Sequence, residues 1–149
     1  MIPLGATDLG IDIANQQRHG LYKWLLASFL LGKRIRASVA LQAYKVLVDQ
    51  HGLDTPGKLS QCAHRELVRL LGQAGYARYD ESTARRLRTL GARVEQELPS
   101  RLEAIRGGVE GIPDVEQWLL TFEGIGPKTL EIFMREARAI LESIAASPS

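Results

Sequence analysis

From Leu21 to Leu31 the chain reads Leu-Tyr-Lys-Trp-Leu-Leu-Ala-Ser-Phe-Leu-Leu, apolar nearly all the way round a helical wheel. A helix without a polar face must be covered on every side, so this segment predicts the central helix of a bundle. Its longest apolar run, Trp24 to Leu31, is interrupted by Ser28 and is far too short to cross a bilayer. The rest of the chain keeps the same period. Ala37, Ala40, Leu41, Tyr44, Leu47 and Val48 recur at helical spacing, and Leu67, Val68, Leu70 and Leu71 mark another helix that stops near Gly72 or Gly75. Leu87, Leu90, Val94 and Leu98 form a further stripe, which Pro99 is expected to break or restart. Val115, Trp118, Leu119 and Phe122 follow, then Leu130, Phe133, Ala137, Ile140 or Leu141, and Ile144. No segment alternates with period two. These stripes predict an all-α fold, a single compact helical domain over residues 21–149 preceded by an arm or short helix over residues 1–20. With 45% apolar residues, the chain sustains one core. Trp24 and Trp118 belong to it.

Loops and caps are legible from small polar residues. Gly52 and the cluster Asp54-Thr55-Pro56-Gly57 predict a turn. Asp80 or Ser82 is expected to cap the arginine-rich fourth helix, and Asp114 the helix that carries Trp118.

Net charge is only +2, so total charge says little about partners. Its distribution says more: from Ile13 to Val48 there is no acid, while Arg18, Lys23, Lys33, Arg34, Arg36 and Lys45 fall there. This block is either a plain cationic surface or one that meets an anionic partner. The single cysteine, Cys62, permits no internal disulfide, and the first residues lack the pattern of a signal peptide. The expected setting is intracellular, cytoplasmic and nucleoid-associated, with no membrane partner. Cys62, His64 and His51 make a poor metal set, so no side-chain metal site is expected.

Between the last two stripes lies Phe122-Glu123-Gly124-Ile125-Gly126-Pro127-Lys128-Thr129. Two glycines allow a tight turn and close approach of another backbone. Ile125 between them can point inward and pin the turn. Pro127 suits the first position of the last helix. The turn therefore ends at a helix N-terminus, where unpaired amides and the dipole favour an anion such as phosphate. Lys128 and Thr129, in the first turn, can add a charge and a hydroxyl. A nucleotide P-loop is excluded, because its lysine follows a glycine directly and here Pro127 precedes Lys128. An ordinary corner between helices is the plain alternative.

Phe122 to Phe133 resembles the helix-hairpin-helix of the endonuclease III-like DNA glycosylase superfamily, the HhH-GPD group. Leu25 to Leu31 with the helix of Ser38 to Leu47 is similar to that family's first core helix pair. Leu71-Gly72-Gln73-Ala74-Gly75-Tyr76 with Thr83-Ala84-Arg85-Arg86-Leu87 is similar to its central turn and next helix. The likeness runs from about Leu21 to Arg138 and implies a six-helix-barrel-like bundle.

The resemblance implies enzymes that kink double-stranded DNA, extrude a damaged base and cut its glycosidic bond in base-excision repair. It puts Lys128 at the position of the lysine that attacks the sugar as a Schiff-base former and abasic-site lyase. Such an amine must be neutral, so burial or nearby cations should lower its pKa. The hairpin Gly124, Ile125, Gly126, Pro127, Lys128 and Thr129 would hold a phosphate. The carbonyls of Glu123 and Ile125 would hold a monovalent cation. Lys33, Arg34, Arg36, Arg78 and Tyr79 would face DNA, and Tyr76 or Tyr79 would stack on a base unless used in the core.

The chain departs from the family in four respects. The essential family aspartate falls near Ala146, and no aspartate follows Asp114; Glu142, or Asp8 or Asp12 from the arm, would have to serve instead. The cysteines of the family's iron–sulfur cluster are absent, so no such cofactor is expected. Lys33 stands where the family has a gap-filling glutamine. The half of the fold that closes the family's cleft is missing or much reduced, a wall that a homodimer would supply. The readings left standing are a DNA-binding relative of the glycosylases, a non-catalytic DNA-structure module, and a helical protein-interaction adaptor.

Overall fold

A computed structural model describes residues 4–76 and 79–147. Among these residues all regular secondary structure is helical, with no strand. Two short 3-10 turns, Ala6–Leu9 and Gln16–Arg18, precede α1 (Gly20–Leu31), α2 (Ala37–Tyr44), α3 (Pro56–Gln61), α4 (His64–Gln73), α5 (Asp80–Arg106), α6 (Ile112–Leu120) and α7 (Pro127–Ala146). A π-helical turn and a half, Lys45–Gln50, extends α2.

α1 is the buried axis the composition predicts. Trp24, Leu26, Phe29 and Leu30 are fully covered, and α2 and α7 pack on it. Each polar group it carries inward is satisfied. Trp24 Nε1 donates to the Phe133 carbonyl at 3.1 Å, and the Ser28 hydroxyl donates to the Trp24 carbonyl at 2.7 Å. Tyr76, also buried, donates to the Leu30 carbonyl at 3.1 Å and so joins the core instead of stacking on a ligand.

α5 runs without interruption through Pro99, contrary to the expected break. Its 27 residues span about 40 Å. Proline in a helix interior costs about 3 kcal/mol. The apolar stripe on both sides of Pro99, with Leu87, Leu90 and Val94 before it and Ile105 after it, is buried in the same core, and that burial outweighs the lost hydrogen bond. The cluster at 54–57 is not only a turn. Thr55 Oγ1 accepts the Lys58 amide at 3.1 Å and starts α3, with Pro56 in its first turn. α3 lies so close to α5 that a Cβ on Gly91 would stand 2.6 Å from the Pro56 carbonyl oxygen.

The expected caps are each displaced. Tyr79, not Asp80 or Ser82, is the N-cap of α5, and Asp80 Oδ1 accepts the Glu81 amide from inside the first turn. Gly111 caps α6, with Asp114 reaching back from the third position to accept the Gly111 amide at 2.8 Å. The segment before α1 is packed: Ala6, Leu9 and Ile11 are buried in the common core, and the Ala6 amide donates to Glu136 of α7 at 2.8 Å.

α6 is fixed against α5 by a polar anchor. Glu97 accepts from Arg93 Nε and from Trp118 Nε1, both at 2.8 Å, and Arg93 also donates to Thr121 Oγ1 at 3.0 Å. The Arg93 guanidinium lies 3.9 Å over the Phe122 ring, and Phe122 meets Trp118 edge-on at 5.1 Å. The turn that follows is thus positioned before its own residues contribute. No helix is long and apolar enough to cross a membrane among the described residues.

Candidate nucleic-acid interface

The turn from Phe122 to Pro127 has a packed side and an open side. Gly124 is on the packed side. Its φ is +92°, and a Cβ there would stand 2.7 Å from Phe29 Cε2 and 3.1 Å from Arg86 Cδ. Only glycine meets both demands. Ile125 is buried as expected, and its amide donates to the Phe122 carbonyl at 3.1 Å, so that amide is spent on the turn. Gly126 differs from Gly124. Its φ of −106° and ψ of −170° suit any residue, and a Cβ there would meet nothing within 4 Å. Gly126 is the N-cap of α7, no side chain caps that end, and Pro127 has no amide. The amides of Lys128 and Thr129 therefore have no carbonyl partner within the helix. Pro127 and Lys128 are exposed.

Thr129 does not offer its hydroxyl outward. The side chain is buried, and a Cβ on Gly32 would lie 2.1 Å from its Oγ1. The loop after α1 is thereby laid directly against the start of α7. Lys33, the next residue, turns its ammonium onto the Gly124 carbonyl, with the Phe29 ring 4.2 Å away. Burial first, and then the Arg86 guanidinium, lower the Lys33 pKa from the ordinary lysine value. The desolvated amine that the resemblance placed at Lys128 thus lies at Lys33, while Lys128 stands in solvent. The Lys33 ammonium already occupies the carbonyl side of the turn at Gly124, between Glu123 and Ile125. A monovalent cation shared by the neighbouring Glu123 and Ile125 carbonyls would be opposed by that ammonium charge.

Arg34 and Arg36 are exposed, and Arg36 is the N-cap of α2 rather than part of a helix. Among the described residues, neither they nor Lys128 form an ion pair. Tyr79 is 48% exposed. Arg78 lies outside the described residues. Glu123, the acid in the turn, is matched by Arg86 at 3.3 Å and Arg85 at 3.0 Å; the bond from Arg86 first, then that from Arg85, holds its carboxyl below the ordinary glutamate range. That pair was visible only as two arginines beside an apolar stripe. Its partner 37 residues on could not be read from spacing.

A pocket of about 250 Å³ opens beside the turn, between the loop after α1 and the first turns of α5. Lys33, Arg34, Arg86 and Ser82 line it, together with the exposed Tyr79 and the buried Tyr76 and Thr83. No carboxylate lines it among the described residues.

The carboxylates suggested as substitutes for the family aspartate are elsewhere. Glu142 is 14 residues beyond Lys128 on α7, about 21 Å along its axis. Asp8 accepts the Gly5 amide at 2.7 Å, in a segment tied to Glu136, about 13 Å along α7 from its start. Asp12 is exposed in that same N-terminal segment. No group of three or more His, Cys, Asp and Glu suited to a metal ion occurs among the described residues. No protein-family model matches this chain, and no curated protein or solved structure matches it.

Proposed function

We propose that the open side of the Gly124–Lys128 turn binds the phosphate backbone of double-stranded DNA, as a binding module without chemistry of its own at Lys128. The observation that carries this reading is Gly126. Backbone and packing give no reason for a glycine there, since its φ is ordinary and a methyl group would meet nothing, and Ser, Thr, Asn or Asp would cap the helix at least as well. A partner backbone approaching the uncapped amides gives one. Lys128 and Arg34, exposed and without carboxylate partners among the described residues, supply charge around that point. The acid of the turn is neutralised by Arg85 and Arg86. A lyase role would need a desolvated Lys128 with a carboxylate in reach. Lys128 is exposed, and Glu131 on the next turn of α7 pairs with Arg135 at 3.4 Å.

The test is fluorescence anisotropy on intact and abasic duplexes across a salt series. Contacts of this kind weaken linearly on a log–log salt plot, and Lys128→Ala should reduce the slope by about one. Borohydride trapping on the abasic duplex decides between binding and chemistry: an adduct lost in Lys128→Ala would make the protein a lyase and overturn the non-catalytic part of the reading. No binding at low salt would leave only the adaptor.

A further inference from the structure

We propose that the pocket between the loop after α1 and the start of α5 is a binding site for a phosphate monoester, the terminal phosphate of a DNA strand end or of a free nucleotide. The inference rests on the pocket lining and not on the Gly126 amides; Arg34 serves both, and the inference stands without those amides.

Three observations carry it. The first is charge. Lys33, Arg34 and Arg86 converge on one cavity with no carboxylate in its lining among the described residues. Of the three, only Arg86 has an acidic partner there, and Glu123 is shared with Arg85. Burial is the main cause of the lowered Lys33 pKa, but the neighbouring Arg86 charge adds to it, and a field that repels a proton attracts an anion. The second is donor chemistry. The Arg34 and Arg86 guanidinium groups can present forked N–H pairs to phosphate oxygens, and the Ser82 hydroxyl adds a neutral donor. The third is shape. The cavity of about 250 Å³ has buried Tyr76 and Thr83 in its wall, Tyr76 held by its bond to the Leu30 carbonyl. The space holds about eight waters' worth of volume, enough for a phosphate and part of a sugar and below the usual size for a drug-like ligand. A terminal phosphate carries more charge than a bridging diester, which matches a site of converging cations.

The experiment compares nicked-gap duplexes that differ only in a 5′-phosphate, a 3′-phosphate or hydroxyl ends, alongside a 5′-mononucleotide and inorganic phosphate. The expected result is about tenfold tighter binding of one phosphorylated end over its hydroxyl twin. That advantage should disappear in Arg34→Gln, an exposed position whose change leaves the melting temperature unaltered. Saturable shifts of the Lys33 and Arg86 side-chain NMR signals with the mononucleotide, and not with the strand ends, would assign the site to free nucleotides. Equal binding of all ends together with no shift from mononucleotide or inorganic phosphate would overturn the proposal. In that outcome, retained duplex binding would leave the reading of the Gly126 turn intact. Loss of duplex binding with the shifts retained would overturn that reading and keep this one.

Discussion

The two glycines of the turn look alike in the sequence and are expected to respond in opposite ways to the same methyl group. At Gly124 an alanine must adopt φ near +92°, which costs about 1–2 kcal/mol for a residue with a Cβ. Its methyl would also stand 2.7 and 2.9 Å from two Phe29 ring carbons and 3.1 Å from Arg86 Cδ. The Arg86 side chain can give way, but the Phe29 ring is fully buried and cannot move freely, so overpacking adds about 1–3 kcal/mol. Together these give roughly 2–5 kcal/mol, a fall in melting temperature of about 4–20 °C for a chain of this length. At Gly126 the φ is negative and a methyl meets nothing. Alanine caps a helix less well than glycine, but it also lowers the entropy of the unfolded chain, and the two effects cancel to within about 1 kcal/mol. If a phosphate sits on the amides, that methyl holds it off, and duplex affinity at low salt should fall about tenfold. Calorimetry and anisotropy on both variants decide the matter. A Gly126→Ala protein that binds DNA like the wild type would refute the ligand explanation for this glycine. One that melts as low as Gly124→Ala would refute the open side itself.

Other outcomes follow from the packing. Glu97 has its carboxyl held down to about 2, chiefly by the bond from Arg93 and also by Trp118. With its folded pKa below the unfolded value, its stabilisation is present above about pH 4.3 and is lost as pH falls through about 2. About a third of its side chain is exposed, so after screening Glu97→Gln should cost only about 1 kcal/mol at pH 7, a difference that denaturant titrations should see vanish towards pH 2. Gly91→Ala should cost about 2–3 kcal/mol by urea unfolding, because the methyl would meet the Pro56 carbonyl and the Ser60 amide of α3, neither of which is a flexible side chain. Trp24→Phe removes a buried donor from the Phe133 carbonyl and leaves a void, a loss of about 2–4 kcal/mol that should appear as a lower denaturant midpoint with an unchanged slope.

How far the sequence was legible depended on whether a signal was local. The stripes of α1, α5 and α7 repeat over several turns, so element type and inward face followed directly. α3 is six residues long and fully buries only Leu59 and Pro56, too little to show a period. Pro99 misled because local propensity argues for a stop while a continuous stripe on both sides argues against one, and the stripe prevailed. The caps at Asp80 and Asp114 were displaced because an acid is also favourable inside the first turn, where it meets amides and the dipole. In the turn, the value of Ile125 as an inward pin was readable from two flanking glycines. The inward roles of Thr129 and Lys33 were not, since both depend on Gly32 meeting α7 across the length of the chain.

The bond from Lys33 to the Gly124 carbonyl joins residues 91 positions apart. During synthesis α1 is complete while the strip of chain that covers its far end has yet to be made. At ordinary translation speeds that interval is roughly 5–18 s. Until it closes, Phe29 has no turn above it and the lysine has no acceptor, so this corner, with the α7 contacts that follow it, should gain hydrogen-exchange protection late and hold a nascent-chain chaperone longer than the helices already paired.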